Sequence, residues 1–297
     1  MGKQARTNAL RGHPLTPYAF MAPALLILGV FFLLAAVQVV YFSFTRYTAF
    51  EGPEFVGLEN YRRLLASETF WLCLLNSFIY LLVTPALMAI SLAAALAVHA
   101  GLRWAKGLRL LLFLPVVTPT IVAAVAWRLI LNEDSGVING WLTAVGLPAV
   151  RWLSEPPFTL ISAMMVTLWK GFGFYMMVFL AGLLAIPKEL EEAAAIDGAG
   201  RAGTLLHVTL PGLAPVLTLV FIISSISALK VFDELFVTIK GMPAEYQTAV
   251  PLVYETAFER GDYGLASAIG ITLFVIILVF SLINLRLTGG GKGAADA

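Results

Sequence analysis

The sequence predicts an all-α membrane protein of six transmembrane helices, with a helix–turn–helix segment on one side of the membrane. Three observations predict it. The 297 residues are 60% hydrophobic and only 12% charged, with a mean hydropathy of +0.88, whereas ordinary soluble domains are about 25% charged. Six long apolar passages recur along the chain, and about 20 apolar residues suffice to cross a bilayer as a helix. A short segment rich in alanine and glycine separates the fourth passage from the fifth.

The passages lie at about 19–44, 71–98, 110–130, 157–187, 208–229 and 263–285. The third is uncharged over Leu110–Trp127, and the fourth contains one interior charge, Lys170. Residues 1–297 read as a single transmembrane domain. Lys3, Arg6 and Arg11 resemble the basic start of a signal peptide. The apolar run behind them, however, is far longer than the roughly 7–15 residues of such a leader, and no cleavage site ends it. A retained first span is expected. The one cysteine, Cys73, opens the second span, so no intrachain disulfide forms. Trp71, Trp104, Tyr41 and Tyr263 stand near span ends, as interfacial anchors do.

Six spans put both termini on one side. That side gathers Lys3, Arg6, Arg11, Arg103, Lys106, Arg109, Lys188, Arg201, Arg286 and Lys292, and its 99–109 loop has three cations and no acid. The positive-inside rule makes it cytoplasmic. Acids such as Glu133, Asp134, Asp233, Glu234 and Asp262 fall in the outer loops or at span ends, and none at a span centre. A carrier coupled to its own proton or sodium ion needs ionisable groups at membrane depth. A stand-alone six-span carrier or channel for small polar solutes is the alternative reading, although the N-P-A turns of water channels are absent. Nothing suggests nucleic acid, a metal or a cofactor. His13, His99 and His207 are scattered, and no H-E-x-x-H or G-x-S-G pattern occurs.

The separating segment, residues 188–207, has its own grammar. Pro187 suits the start of a helix, and Glu189, Glu191 and Glu192 fill the first turns, where the helix dipole favours acids. Ala193–Ala195 favour helix with almost no bulk, Gly198 and Gly200 permit a turn, and a second helix starts near Ala202. Read further, Glu192-Ala193-Ala194, then Gly198, then Val208 and Leu210-Pro211 resemble the E-A-A loop of ABC-importer permease subunits, with Val208 in place of the usual isoleucine. The segments 55–65, 113–132, 166–200 and 229–237 resemble the carbohydrate, maltose-type branch of that family. "TIKGMP" (Thr238–Pro243) departs from the T-x-G-G-P-like turn of relatives.

The resemblance implies a permease subunit of a binding-protein-dependent importer for sugars or sugar-like solutes in a bacterial or archaeal cytoplasmic membrane. Its partners would be a second, related permease, two cytoplasmic ATPase subunits and an extracytoplasmic solute-binding protein. No G-x-x-x-x-G-K-[ST] phosphate loop is present, so ATP would be hydrolysed on the ATPase chains. Glu192, Ala193, Ala194, Asp197, Gly198 and Arg201 would form the coupling surface. For Glu192 the plain reading is helix-start charge complementarity; for Asp197 and Arg201 it is pairing across the turn. Aligned from Trp169-Lys170-Gly171, the resemblance points to Thr167, Lys170, Gly171 and Phe174 as solute pathway. Counted from Leu210-Pro211 it points to Ser224, Ser227 and Ala228. Relatives offer asparagine where this chain has Thr167 and Ala228. Each also has a structural reading: serines bonded to their own helix, packing for Phe174, close helix contact for Gly171, and a gate or a pair with an acid for Lys170, a cation that would also suit an anionic solute such as a phosphorylated or acidic sugar.

Overall fold

The computed structural model describes residues 16–101, 105–239 and 241–287. The amino-terminal cations, Arg103, Trp104 and Lys292 lie outside the described residues. In chain order the principal elements are α1 (Phe20–Ser43), β1 (Thr45–Arg46), β2 (Glu54–Phe55), α2 (Glu59–Leu65), α3 (Glu68–His99), α4 (Arg109–Val117), α5 (Thr120–Ile130), α6 (Val137–Ala144), α7 (Phe158–Ala185), α8 (Lys188–Ile196), α9 (Arg201–Gly212), α10 (Ala214–Leu229), α11 (Asp233–Thr238) and α12 (Tyr263–Arg286), with short helical turns over Ala244–Tyr246, Ala249–Tyr254 and Glu255–Glu259 between the last two.

Among the described residues, α1, α3, α7 and α12 are helices long and apolar enough to cross a membrane. The passages 110–130 and 208–229 are not straight. α4 and α5 meet at 103°, and α9 and α10 at 66°, so the count reaches six only if each bent pair is one span. Proline explains both bends. Pro119 has no amide hydrogen to donate and takes an extended ψ of 134° ahead of α5. Pro211 and Pro215 flank the second break at Leu213.

The chain divides into two compact units. The first comprises residues 1–64 and 256–271. Its centre is Asn60, 2% exposed, whose amide donates to the carbonyls of Ser43 (3.0 Å) and Thr45 (2.8 Å). Gly264 lies so close to the Thr45 carbonyl that a β-carbon would collide with it. Asp262 accepts from the Leu265 amide at the start of α12 and from Arg63 at 3.0 Å.

The second unit comprises residues 65–255 and 272–297. α7 is its axis and packs chiefly against the second half of α3. Leu87, Ala95, Val98, Met176, Phe179, Leu180, Leu183, Leu213 and Val220 are buried together there. Small residues allow the close approach, as membrane helix packing requires. A β-carbon on Gly173 would meet the Leu112 carbonyl, and one on Gly182 would meet Leu213 and Val216. Ser91 donates to the Phe172 carbonyl at 3.0 Å. The 131–157 loop is organised by Asn139, whose amide donates to the Glu133 and Val150 carbonyls and accepts from the Trp152 indole, each at 2.9 Å. The 244–249 loop is fixed to α3 through Asn76, which donates to the carbonyls of Glu245 (2.8 Å) and Gln247 (3.0 Å).

Candidate functional site: a cavity and a helical hairpin

Within the second unit, α3, α7, α10 and α11 enclose a cavity of about 280 Å³, near the lower end of the roughly 300–1,000 Å³ of small-molecule sites. Thr167, Lys170, Gly171, Phe174, Ser224, Ser227 and Ala228 all line it. Four lie on one stretch of α7 and three on one stretch of α10. Helical spacing puts each set on one helix face, and the packing of the two helices brings the faces together.

The walls have distinct chemistry. Thr167 shares a 2.8 Å hydrogen bond with the hydroxyl of Tyr80. Ser227 hydrogen-bonds Tyr175. Ser224 donates back to the Val220 carbonyl of its own helix at 2.6 Å, which is the structural reading of a span serine. Ala228 is 3% exposed and belongs to a buried cluster with Tyr80, Val83, Leu160 and Leu235. Phe174 stands edge-on to Tyr175, their ring centres 5.1 Å apart. A β-carbon on Gly171 would come 3.3 Å from Leu87, so the glycine widens the cavity there. Among the described residues Lys170 forms no ion pair.

The sequence reading missed Tyr80, Tyr175 and Glu234. Glu234 stands on α11, beyond the fifth apolar passage, and reads in sequence as a loop acid, yet its side chain lines the cavity. Burial pushes its carboxyl above the usual range, while its own backbone amide and the more distant Lys170 pull the other way. No pattern in "VFDELFV" separates Glu234 from its exposed neighbour Asp233. The short α11 settles it, turning the second acid inward.

Residues 188–212 form a second feature, the helical hairpin α8–turn–α9. Pro187 precedes α8 with an extended ψ of 130°. The turn is a Schellman motif: the Gly198 amide donates to the Ala195 carbonyl (3.1 Å) and the Ala199 amide to the Ala194 carbonyl (2.9 Å), with Gly198 at φ +83°. Glu192, Ala193, Asp197, Gly198 and Arg201 are exposed, and Ala194 is half-buried. Asp197 and Arg201 form no ion pair with each other. Ile196 is 86% exposed on a helix with no buried residue.

The profile of the family described as "Binding-protein-dependent transport system inner membrane component" matches residues 86–288. The chain belongs to this family. As a member it is a multi-pass inner-membrane protein, and its matched region contains both the helical hairpin and nearly all of the cavity lining. It is 35% identical over 272 residues to the trehalose/maltose transport system permease protein MalF of Thermococcus litoralis, covering 91% of this chain and 92% of that one. It is 36% identical over 287 residues to the arabinooligosaccharides transport system permease protein AraP of Bacillus subtilis, covering 93% and 90%. In fold it is similar to a chain of a bacterial ABC transporter involved in the import of the acidic polysaccharide alginate. The TM-score is 0.83 at 22% identity, covering 93% of this chain and 95% of that one.

Proposed function

We propose that this family member is the permease subunit of an ATP-driven importer for sugars or sugar-like solutes, with both termini cytoplasmic. Solute passes through the cavity between α7 and α10. A related second permease completes the membrane part, two cytoplasmic ATPase subunits supply the energy, and an extracytoplasmic binding protein delivers the solute. The hairpin α8–α9 is the coupling element: Glu192 and the small faces of Ala193 and Ala194 meet the ATPase, and movement there changes access to the cavity. A partner drives such a switch only through differential affinity for its two states.

The observation that supports this reading best is the gathering of seven residues, from two distant stretches of sequence, around one cavity in a chain of this family. The sugar class draws its support from relatives whose names give trehalose, maltose and arabinooligosaccharides as cargo. The test is solute-stimulated ATP hydrolysis by the assembled importer across a panel of oligosaccharides. Glu192→Ala and Gly198→Trp are expected to abolish stimulation while the membrane subunits still assemble. Full stimulation in both variants overturns the coupling role, and uptake by this chain without any ATPase overturns the importer.

A further inference from the structure

Among the described residues, fourteen line the cavity, and two of these are a full base or acid: Lys170 on α7 and Glu234 on α11. They face one space without forming an ion pair. The remaining polar groups are neutral hydroxyls of tyrosine, serine and threonine. We infer that the cavity discriminates by charge, admitting uncharged polyhydroxylated solutes and rejecting anionic ones, and that Glu234 is the residue that sets this preference. The inference rests on the reading of the cavity as the solute passage.

The chemistry follows from what each group offers. An ammonium has three donors and no acceptor, an ionised carboxylate has only acceptors, and a sugar hydroxyl does both. A neutral oligosaccharide can therefore satisfy Lys170 and Glu234 at once, bridging them through its own hydroxyls. An anionic sugar is drawn by Lys170 and repelled by Glu234. The two effects oppose, so the anion loses its hydration on entry without a compensating field. A lone Lys170 would make the same cavity an anion site. Glu234, the acid of α11 that lines the cavity, is what prevents this, and charge effects of this kind are large where water is sparse. Lining the same cavity, Glu234 lies within reach of the field of Lys170.

The test uses the assembled importer carrying Ser227→Cys as a reporter in the cavity. Cys73, the one native cysteine, is buried and is replaced by alanine. Protection of the reporter from a neutral maleimide is titrated with a panel of neutral oligosaccharides, each paired with its uronic-acid form. We expect protection by the neutral member at concentrations at least tenfold lower than by its anionic partner. Glu234→Gln should shift that ratio at least tenfold toward the anion, and Lys170→Gln should shift it the other way. The second variant keeps the test decisive if the first does not assemble. An unchanged ratio in a variant that is still protected overturns the charge inference and leaves the cavity as the solute passage. Absence of protection by every sugar overturns the passage reading itself.

Discussion

The hydroxyls of Tyr80 and Thr167 lie 2.8 Å apart and join α3 to α7 across the cavity wall, 87 residues apart in sequence. Tyr80 is fully buried, so its phenol has no water to turn to. A net hydrogen bond contributes about 1 kcal/mol, whereas a buried orphan costs about 1–3 kcal/mol. Thr167→Val, which strands the phenol, should therefore destabilise more than Tyr80→Phe. The double variant should lose less than the sum of the two. Thermal unfolding of the three variants in detergent checks this ordering.

Glu234 gives a pH signature. Its carboxyl is raised above the ordinary value of 4.5 by burial. The folded state therefore holds its proton to higher pH than the unfolded chain does. Between the two pKa values the folded state binds more protons, so stability falls as pH rises through this window. The penalty is absent below about pH 4.5 and complete above the folded value. Glu234→Gln should raise the melting temperature at neutral pH, with the gain shrinking as the pH is lowered. A gain that stays constant with pH contradicts the assignment.

Gly198 sits at φ +83° with nothing within 4 Å of the position a β-carbon would take. The demand is therefore on the backbone rather than on space. Any L-residue there costs about 1–2 kcal/mol, and asparagine least among them. Gly198→Ala should speed amide exchange over residues 194–199 more than Gly198→Asn does, with little change in global unfolding.

Gly173 presents the opposite case. A β-carbon would run into the Leu112 carbonyl, and overpacking of this sort costs about 1–3 kcal/mol. Gly140, on α6, has nothing within 4 Å, and alanine there removes a helix penalty of about 1 kcal/mol. Gly173→Ala should lower the melting temperature, and Gly140→Ala should leave it unchanged or raise it.

Much of this was legible in the sequence, for identifiable reasons. Apolar length marks α1, α3, α7 and α12 because charge is confined to their ends, with Lys170 inside α7 the exception. The Schellman turn is legible because Gly198 follows an alanine run at the position where a left-handed residue is required. The bends at Pro119 and Leu213 are harder to read: proline permits a break, while its angle is set by what packs on either side. Asn139 and Asn60 look like any loop asparagine, and only the fold shows their carbonyl partners. Glu234 escaped for a related reason. Its facing is decided by the phase of α11, six residues that leave no periodicity to measure. The pairing expected of Lys170 with an acid is also not made as a contact; the two charges line the same cavity instead.

We propose that solute passes between α7 and α10. ATP-dependent uptake of a radiolabelled oligosaccharide into proteoliposomes holding the assembled importer tests it most directly. Ser227→Trp is compared there with Gly140→Ala, which lies outside the cavity. The tryptophan, filling much of a cavity of about 280 Å³, is expected to abolish uptake while Gly140→Ala leaves it intact. Undiminished uptake through a fully assembled Ser227→Trp importer would contradict it.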